Sequence, residues 1–261
     1  MNMKGKVALV TGGSSGMGRA AAINFARNGV KVVIAARRED KSQKIVTQIQ
    51  DFGGDACFIK TNVSNSSEIS CLIEKTVEYY GRLDFAFNNA GTEGKFAPMT
   101  ELSESDWERT ITVNLKAVWL CMKYEIEQML KQGGGGAIVN TSSWLAKGGL
   151  IGSTIYSASK AGLDGMVRPA ALEYAARNIR INNINPGIID TEMFRRFVTI
   201  GEDESLKPFI NHIPAQRLGT SEELAETVVW LCSDAGSYIT GQTISVDGGY
   251  GIPGHRVESK E

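Results

Sequence analysis

The residues best suited to proton chemistry in this 261-residue chain are a tyrosine and a lysine four positions apart, Tyr156 and Lys160, in the run Tyr-Ser-Ala-Ser-Lys. On a helix that spacing puts both side chains on one face. A phenol with a pKa of ~10 is a poor base at neutral pH. A cation beside it stabilises the phenolate and moves the hydroxyl towards a range where it serves as both acid and base. Alone, this pattern is common by chance and also describes a surface tyrosine near a lysine. A second group of residues suits phosphate. The apolar run Val7–Val10 leads into Thr11-Gly12-Gly13-Ser14-Ser15-Gly16-Met17-Gly18, and a helical stretch follows. Glycines at 12, 16 and 18 allow a tight turn and close backbone approach to a pyrophosphate, and the helix N-terminus supplies free amide donors. A glycine-rich turn without a ligand is the alternative, but the position in the first strand–helix turn favours a dinucleotide held by Gly12, Ser14, Ser15, Gly16, Met17 and Gly18.

The end of the second strand bears on which dinucleotide. A carboxylate there would bind the ribose 2′-hydroxyl of NAD. This chain reads VVIAARRED, with Ala36 in that place and Arg37 and Arg38 after it. A guanidinium forks onto phosphate, so the missing acid together with Arg37 favours NADP(H), with NAD(H) possible. Arg38 is expected to be a solvated surface charge.

These residues need a scaffold, and the hydrophobic pattern supplies one. Apolar, β-branched runs at Val7–Val10, Lys31–Ala36, Ala56–Lys60, Leu83–Phe87, Ala137–Asn140, Ile179–Ile184 and Thr243–Val246 alternate with helical stretches at Met17–Asn28, Ser67–Tyr80, Glu104–Lys131, Ile155–Arg177 and Glu222–Cys232. Strands that are apolar throughout are buried on both faces, and strict alternation with helices implies right-handed crossovers. The expectation is an α/β fold: a single doubly wound (Rossmann) domain over residues 1–251, a seven-stranded parallel sheet with helices on both faces. Ligands then bind past the carboxyl ends of the strands, where the strand order switches.

The motifs together resemble the short-chain dehydrogenase/reductase family, in its single-domain branch. TGGSSGMG (11–18), NNAG (88–91), Asn114 in TVNL, Ser143, YSASK (156–160), PGIIDT (186–191) and ITGQTISVDGG (239–249) occur in order from Lys6 to Gly249. The resemblance implies an oxidoreductase that moves hydride between a nicotinamide and a secondary alcohol or ketone. It implies that Ser143 polarises the substrate oxygen and Tyr156 is the general acid and base. Lys160 would bind the nicotinamide ribose and lower the tyrosine pKa, and Asn114 would hold a water that relays protons to solvent. Asn88, Asn89, Ala90 and Gly91 would line the floor under the cofactor, Asn62 and Val63 would touch the adenine, and Pro186, Gly187, Ile189 and Thr191 would meet the nicotinamide end. Asn62 stands where the family often has Asp. The segment 192–216 would be a substrate loop, with Met193, Phe194, Phe197, Phe209 and Ile210 walling an apolar pocket beside Trp144 and Leu145. Residues 252–261 are expected to be a loose tail. A homotetramer or dimer is implied, although Pro169 inside the helix that bears YSASK predicts a kink or local widening near Gly165–Pro169.

Composition narrows the alternatives. With 28 Lys+Arg against 29 Asp+Glu, the net charge of −1 gives no case for gripping nucleic acid or an anionic membrane. The start of the chain reads as a strand rather than a signal segment, which suggests a cytoplasmic protein. Cys57, Cys71, Cys121 and Cys232 form no CxxC pair, and His212 and His255 are the only histidines, so no metal site is expected. Glycine is about 11% of the chain (29 of 261), above the usual ~7%, which fits many close backbone approaches to a ligand. The reading from another class is a nucleotide-binding sensor without turnover. The presence of Ser143, Tyr156, Lys160 and Asn114 together argues against it.

Overall fold

Burial of whole β-branched runs on both faces produces a parallel sheet here. The computed structural model describes residues 3–198 and 205–253. Strands β1 (Val7–Thr11), β2 (Lys31–Ala36), β3 (Ala56–Lys60), β4 (Phe85–Asn88), β5 (Gly136–Thr141), β6 (Ile179–Pro186) and β7 (Thr243–Val246) pair in parallel in the order β3-β2-β1-β4-β5-β6-β7. Alternate residues of β1 feed opposite layers. Ala8 and Val10 pack with α1 (Gly16–Arg27), α2 (Glu39–Asp51) and α8 (Ser221–Cys232), whereas Leu9 packs with α3 (Ser66–Tyr80), α5 (Ala117–Gln132) and α6 (Thr154–Tyr174). Two further helices are α4 (Glu104–Ile111) and the short α7 (Lys207–Ile210). The expected doubly wound fold is the one observed.

The chain turns outward from β1 in both directions, so β1 and β4 are neighbours whose following loops diverge. Thr11 ties the two loops at that split. Its hydroxyl accepts hydrogen bonds from the amides of Asn89 (3.0 Å) and Ala90 (3.2 Å).

Three local features depart from the sequence expectation. Helix α2 occupies a stretch in which no helix was expected; only Ile45, Val46 and Ile49 supply its apolar stripe. The expected helix Glu104–Lys131 is split by a π-helical turn at Thr112–Lys116, between α4 and α5. The widening anticipated at Gly165–Pro169 does not occur, because α6 is α-helical through Pro169. The proline ring faces the carbonyl of Gly165, and a side chain at Gly165 would have open space around it, so this turn can adjust. Of the terminal segment expected to be a loose tail, residues 254–261 lie outside the described residues, as do 199–204 of the substrate loop.

A chain of buried polar side chains crosses the sheet. Asn88 on β4 donates to Glu125 of α5 (2.9 Å) and to Asn140 on β5 (3.1 Å). Asn140 donates to Asn183 on β6 (3.0 Å), and Asn183 donates to Asp164 of α6 (3.1 Å). Burial pushes the Glu125 carboxyl up to about 8, against the opposing hydrogen bond from Asn88. The unfolded chain would release that proton near 4.5, so between about pH 4.5 and pH 8 the folded state holds a proton that the unfolded state has lost. Stability from this group is complete below pH 4.5 and is lost as pH rises towards 8. Glu125→Gln cannot ionise, so its urea midpoint should exceed that of the unmodified protein by more at pH 8 than at pH 5. A gap that stays constant with pH would count against a protonated Glu125.

Candidate active site

The groove for a dinucleotide forms where glycines let backbone approach backbone. A Cβ on Gly12 would lie 2.9 Å from the Ala90 Cα, and one on Gly18 would lie 2.4 Å from the Gly12 carbonyl oxygen. No other residue fits at these two places without moving the loop. The N-cap of α1, Ser15, has extended backbone and does not cap the helix with its side chain, so the first-turn amides remain available to an anion. The resulting cavity of about 360 Å³ is lined by Gly12, Ser14, Ser15, Gly16 and Met17, by Arg37 and Arg38, by Asn62 and Val63, and by Asn89, Ala90 and Gly91. Thr191, which lies against Gly16, and Met193 line it as well. The uncapped amides and the glycine cradle fit the pyrophosphate of a dinucleotide.

The cation arrangement differs from the expectation. Arg38, expected as a free surface charge, donates to the hydroxyls of Ser14 (3.0 Å) and Ser15 (2.6 Å) and pairs with Glu192 (2.9 Å). Arg37 lines the same groove and is exposed. The dipeptide order misled the sequence reading. The second arginine, at the N-cap of α2, is the one that turns back onto the glycine loop.

The residues expected to handle protons lie on three stretches of the chain. Tyr156 and Lys160 are in the first turns of α6, Ser143 is two residues past the end of β5, and Asn114 sits in the π turn. The Lys160 ammonium is buried, donates to the Thr141 carbonyl (2.6 Å) and lies 5.8 Å from the Tyr156 ring centroid. A Cβ on Gly91 would be 3.8 Å from that ammonium and 3.4 Å from the Asn114 Oδ1, so Gly91 joins the groove to this cluster. The Asn114 side chain clasps the Thr92 backbone, accepting from its N–H (2.8 Å) and donating to its carbonyl (2.9 Å), and it also donates to Ser159 (3.2 Å). A π turn widens the spacing on one face of a helix and is often found at functional sites. This one sets Asn114 against that loop. The Ser143 oxygen accepts the Leu145 N–H (3.2 Å), which leaves its own proton to be donated.

Charge in the cluster does not follow the simple expectation. Burial drives Lys160 down to about 8, opposed by Asp164. The expected lowering of the Tyr156 phenol is absent in the protein alone. Burial raises its pKa, a hydrogen bond with Ser143 works the other way, and the nearby Glu93 charge raises it further. A buried ammonium spent on a backbone carbonyl gives the phenolate little help.

Other expected residues are distributed unevenly. Asn88 is not in the groove; its side chain is buried in the polar chain below the sheet's end. Pro186 ends β6, Gly187 packs against Asp247, and Ile189 is buried in a bridge to Gly219, so of PGIIDT only Thr191 lines the groove. Trp144 stacks edge-on against Tyr250 (4.7 Å between centroids), and Leu145 is buried. Phe194 packs against Phe209 (5.2 Å), with Ile210 beside it in α7. Phe197 packs against Phe96 (5.1 Å), and Phe96 lies 6.1 Å from Tyr156. Phe96 was missed because it stands in a loop without periodicity. The charge of Glu93, which pairs with Arg196 across the same mouth, was missed for the same reason. Among the described residues no group of His, Cys, Asp or Glu is arranged to hold a metal ion, and no helix is long and apolar enough to cross a membrane.

Comparison with known proteins places this geometry in context. A family model described as enoyl-(acyl carrier protein) reductase matches residues 12–251. The chain is 41% identical to the cyclohexanol dehydrogenase of Acinetobacter sp. (strain SE19), over 94% of each chain. It is 37% identical to the 3-oxoacyl-[acyl-carrier-protein] reductase FabG of Thermotoga maritima, covering 95% of this chain and 99% of that one. Among solved structures, levodione reductase superposes with a TM-score of 0.92 at 30% identity, over 95% of this chain and 98% of the other.

The cradle makes a steric prediction. Gly18→Ala puts a methyl group against the Gly12 carbonyl and should cost about 1–3 kcal/mol of stability, read as a lower urea midpoint. It should also weaken dinucleotide binding, measured by quenching of intrinsic tryptophan fluorescence.

Proposed function

The chain belongs to the short-chain dehydrogenase/reductase family, and from that premise we propose that it interconverts a secondary alcohol and a ketone with NADP(H), Tyr156 acting as general acid and base. The observation that carries this reading is that Lys160 and Asn114 lie beside Gly91 at the edge of the dinucleotide groove, with Tyr156 next to Lys160 and hydrogen-bonded to Ser143. Bound nicotinamide supplies or takes up the hydride. Ser143, its oxygen held by the Leu145 amide, donates a hydrogen bond to the substrate oxygen and stabilises charge there. In reduction Tyr156 gives its proton to that oxygen, and a phenol held above its usual pKa is fully protonated for the task. In oxidation Tyr156 must lose a proton, and Lys160, near neutrality and one helical turn away, is the adjacent group that can exchange one. Thr141 holds the ammonium in place during either direction. Asn114 is a positioning residue, since it fixes the Thr92 loop beside Gly91.

Phe96, Phe197 and Trp144 favour a moderately hydrophobic substrate. A cyclic alcohol or ketone fits such a wall, and a relative named for cyclohexanol supports that class. A 3-oxoacyl thioester is the competing class, supported by the acyl-carrier relative. NAD(H) is the second cofactor reading, favoured by the Glu192 carboxylate that already engages Arg38.

Tyr156→Phe should lower kcat by about 10²–10⁴ with NADPH binding retained. Unchanged turnover would remove the acid–base assignment, and no turnover by the unmodified protein across a ketone panel would favour the sensor reading. Alcohol oxidation should accelerate as pH rises through about 8, where Lys160 gives up its proton, and this rise should be lost in Lys160→Met. Arg38→Ala should weaken NADPH about tenfold and NADH less than twofold, measured by fluorescence titration.

A further inference from the structure

The groove contains a carboxylate that the cofactor reading does not call for. Glu192 follows Thr191, which lies against Gly16 of the glycine loop, and both of its oxygens are engaged: Oε2 by Arg38 (2.9 Å) and Oε1 by Lys41 (2.8 Å). Hydrogen bonding to Lys41 and Arg38 holds its carboxyl below the usual range, so it is ionised at neutral pH. Arg38 is anchored independently by Ser14 and Ser15, so its guanidinium stays on the glycine loop whether or not Glu192 is present. The end of β2 has Ala36 where an acid would select NAD, and Glu192, paired with Arg38, restores a negative charge near it.

We propose that Glu192 is a specificity-determining residue: its carboxylate occupies the Arg38–Lys41 cation pair and competes with the 2′-phosphate of NADP(H) for it. This rests on the reading of the groove as a dinucleotide site. The competition is uneven by design of the charges. Glu192 carries a single negative charge, its side chain is half exposed, and both partners are similarly exposed. Ion pairs of that exposure are weak and screened. A phosphate monoester carries close to two negative charges at pH 7 and offers three acceptor oxygens to the same arginine and lysine. A 2′-phosphate therefore displaces Glu192, but part of its binding free energy is spent in doing so. NAD(H), which lacks the phosphate, leaves Glu192 on its cations. The carboxylate thus narrows the discrimination that Arg38 and Lys41 would otherwise impose.

The test measures dissociation constants of NADPH and NADH for the unmodified protein and Glu192→Gln, by quenching of intrinsic fluorescence, at low and high salt. Glu192→Gln keeps the size of the side chain and removes its charge. NADPH should bind about 5- to 10-fold more tightly to the variant, the strength of one or two exposed ion pairs, and NADH should change by less than about twofold. The gain should shrink at high salt. Lys41→Ala is a second variant, far from the glycine loop's backbone; it should weaken NADPH and reduce the gain from Glu192→Gln when the two are combined. Equal changes for both dinucleotides, or unchanged or weaker NADPH binding in Glu192→Gln, would overturn the proposal. If neither dinucleotide binds the unmodified protein, the cofactor reading itself fails, and the proposal fails with it. That outcome is distinct from binding without discrimination.

Discussion

The Thr11 hydroxyl between the ends of β1 and β4 is the contact on which the rest of the site depends. Parallel strands whose chains leave in opposite directions open a crevice at their carboxyl ends. Left untied, the two loops would be free to separate. Thr11 accepts from the amides of Asn89 and Ala90 and so fixes one loop against the other. Gly12 then meets Ala90 at a distance that no side chain would allow. Everything in the groove is measured from that meeting point: the free amides of α1, the Arg38 anchor on Ser14 and Ser15, and Gly91, which passes directly to Lys160 and Asn114.

Burial is the second theme, and it acts on the site and on the polar row beneath it. At the site it brings Lys160 down to about 8 and raises the Tyr156 phenol, favouring the uncharged form of each. Beneath the site it neutralises Glu125 in a row of asparagines that runs from β4 to β6. Asn140 accepts from Asn88 and donates to Asn183, whereas Asn88 Oδ1, Glu125 Oε1 and Asp164 Oδ2 are buried without a hydrogen-bond partner.

Much of the fold was legible because its strands are apolar throughout. Lys31–Ala36, Ala56–Lys60 and Thr243–Val246 have the boundaries expected, and alternation with helices implied the parallel order. Helix α2 was hidden because its buried stripe is thin, three apolar residues among charges and glutamines. The site residues with a fixed spacing were readable: Tyr156 and Lys160 by a helical turn, the glycines by their place after β1. Arg38 was misjudged as a solvated surface charge, since only the start of α2 turns it back onto the loop, while Arg37 lines the groove as well. Phe96, Glu93 and Glu192 were beyond reach for another reason. They act across the groove on residues distant in the chain, and loop residues carry no period to reveal that.

The widened turn at Thr112–Lys116 has a consequence for how the long helix can change. It holds one residue more than an α-helical turn, so the stretch before it and the stretch after it are out of phase by roughly the angle of one residue, ~100°. The side chains of α4 and of α5 can therefore address different neighbours. Loss of a single residue within this turn would bring the two halves into phase and swing either the Asn114 clasp on Thr92 or the packing of Met122 and Ile126 out of place. Length at this point is as constrained as identity.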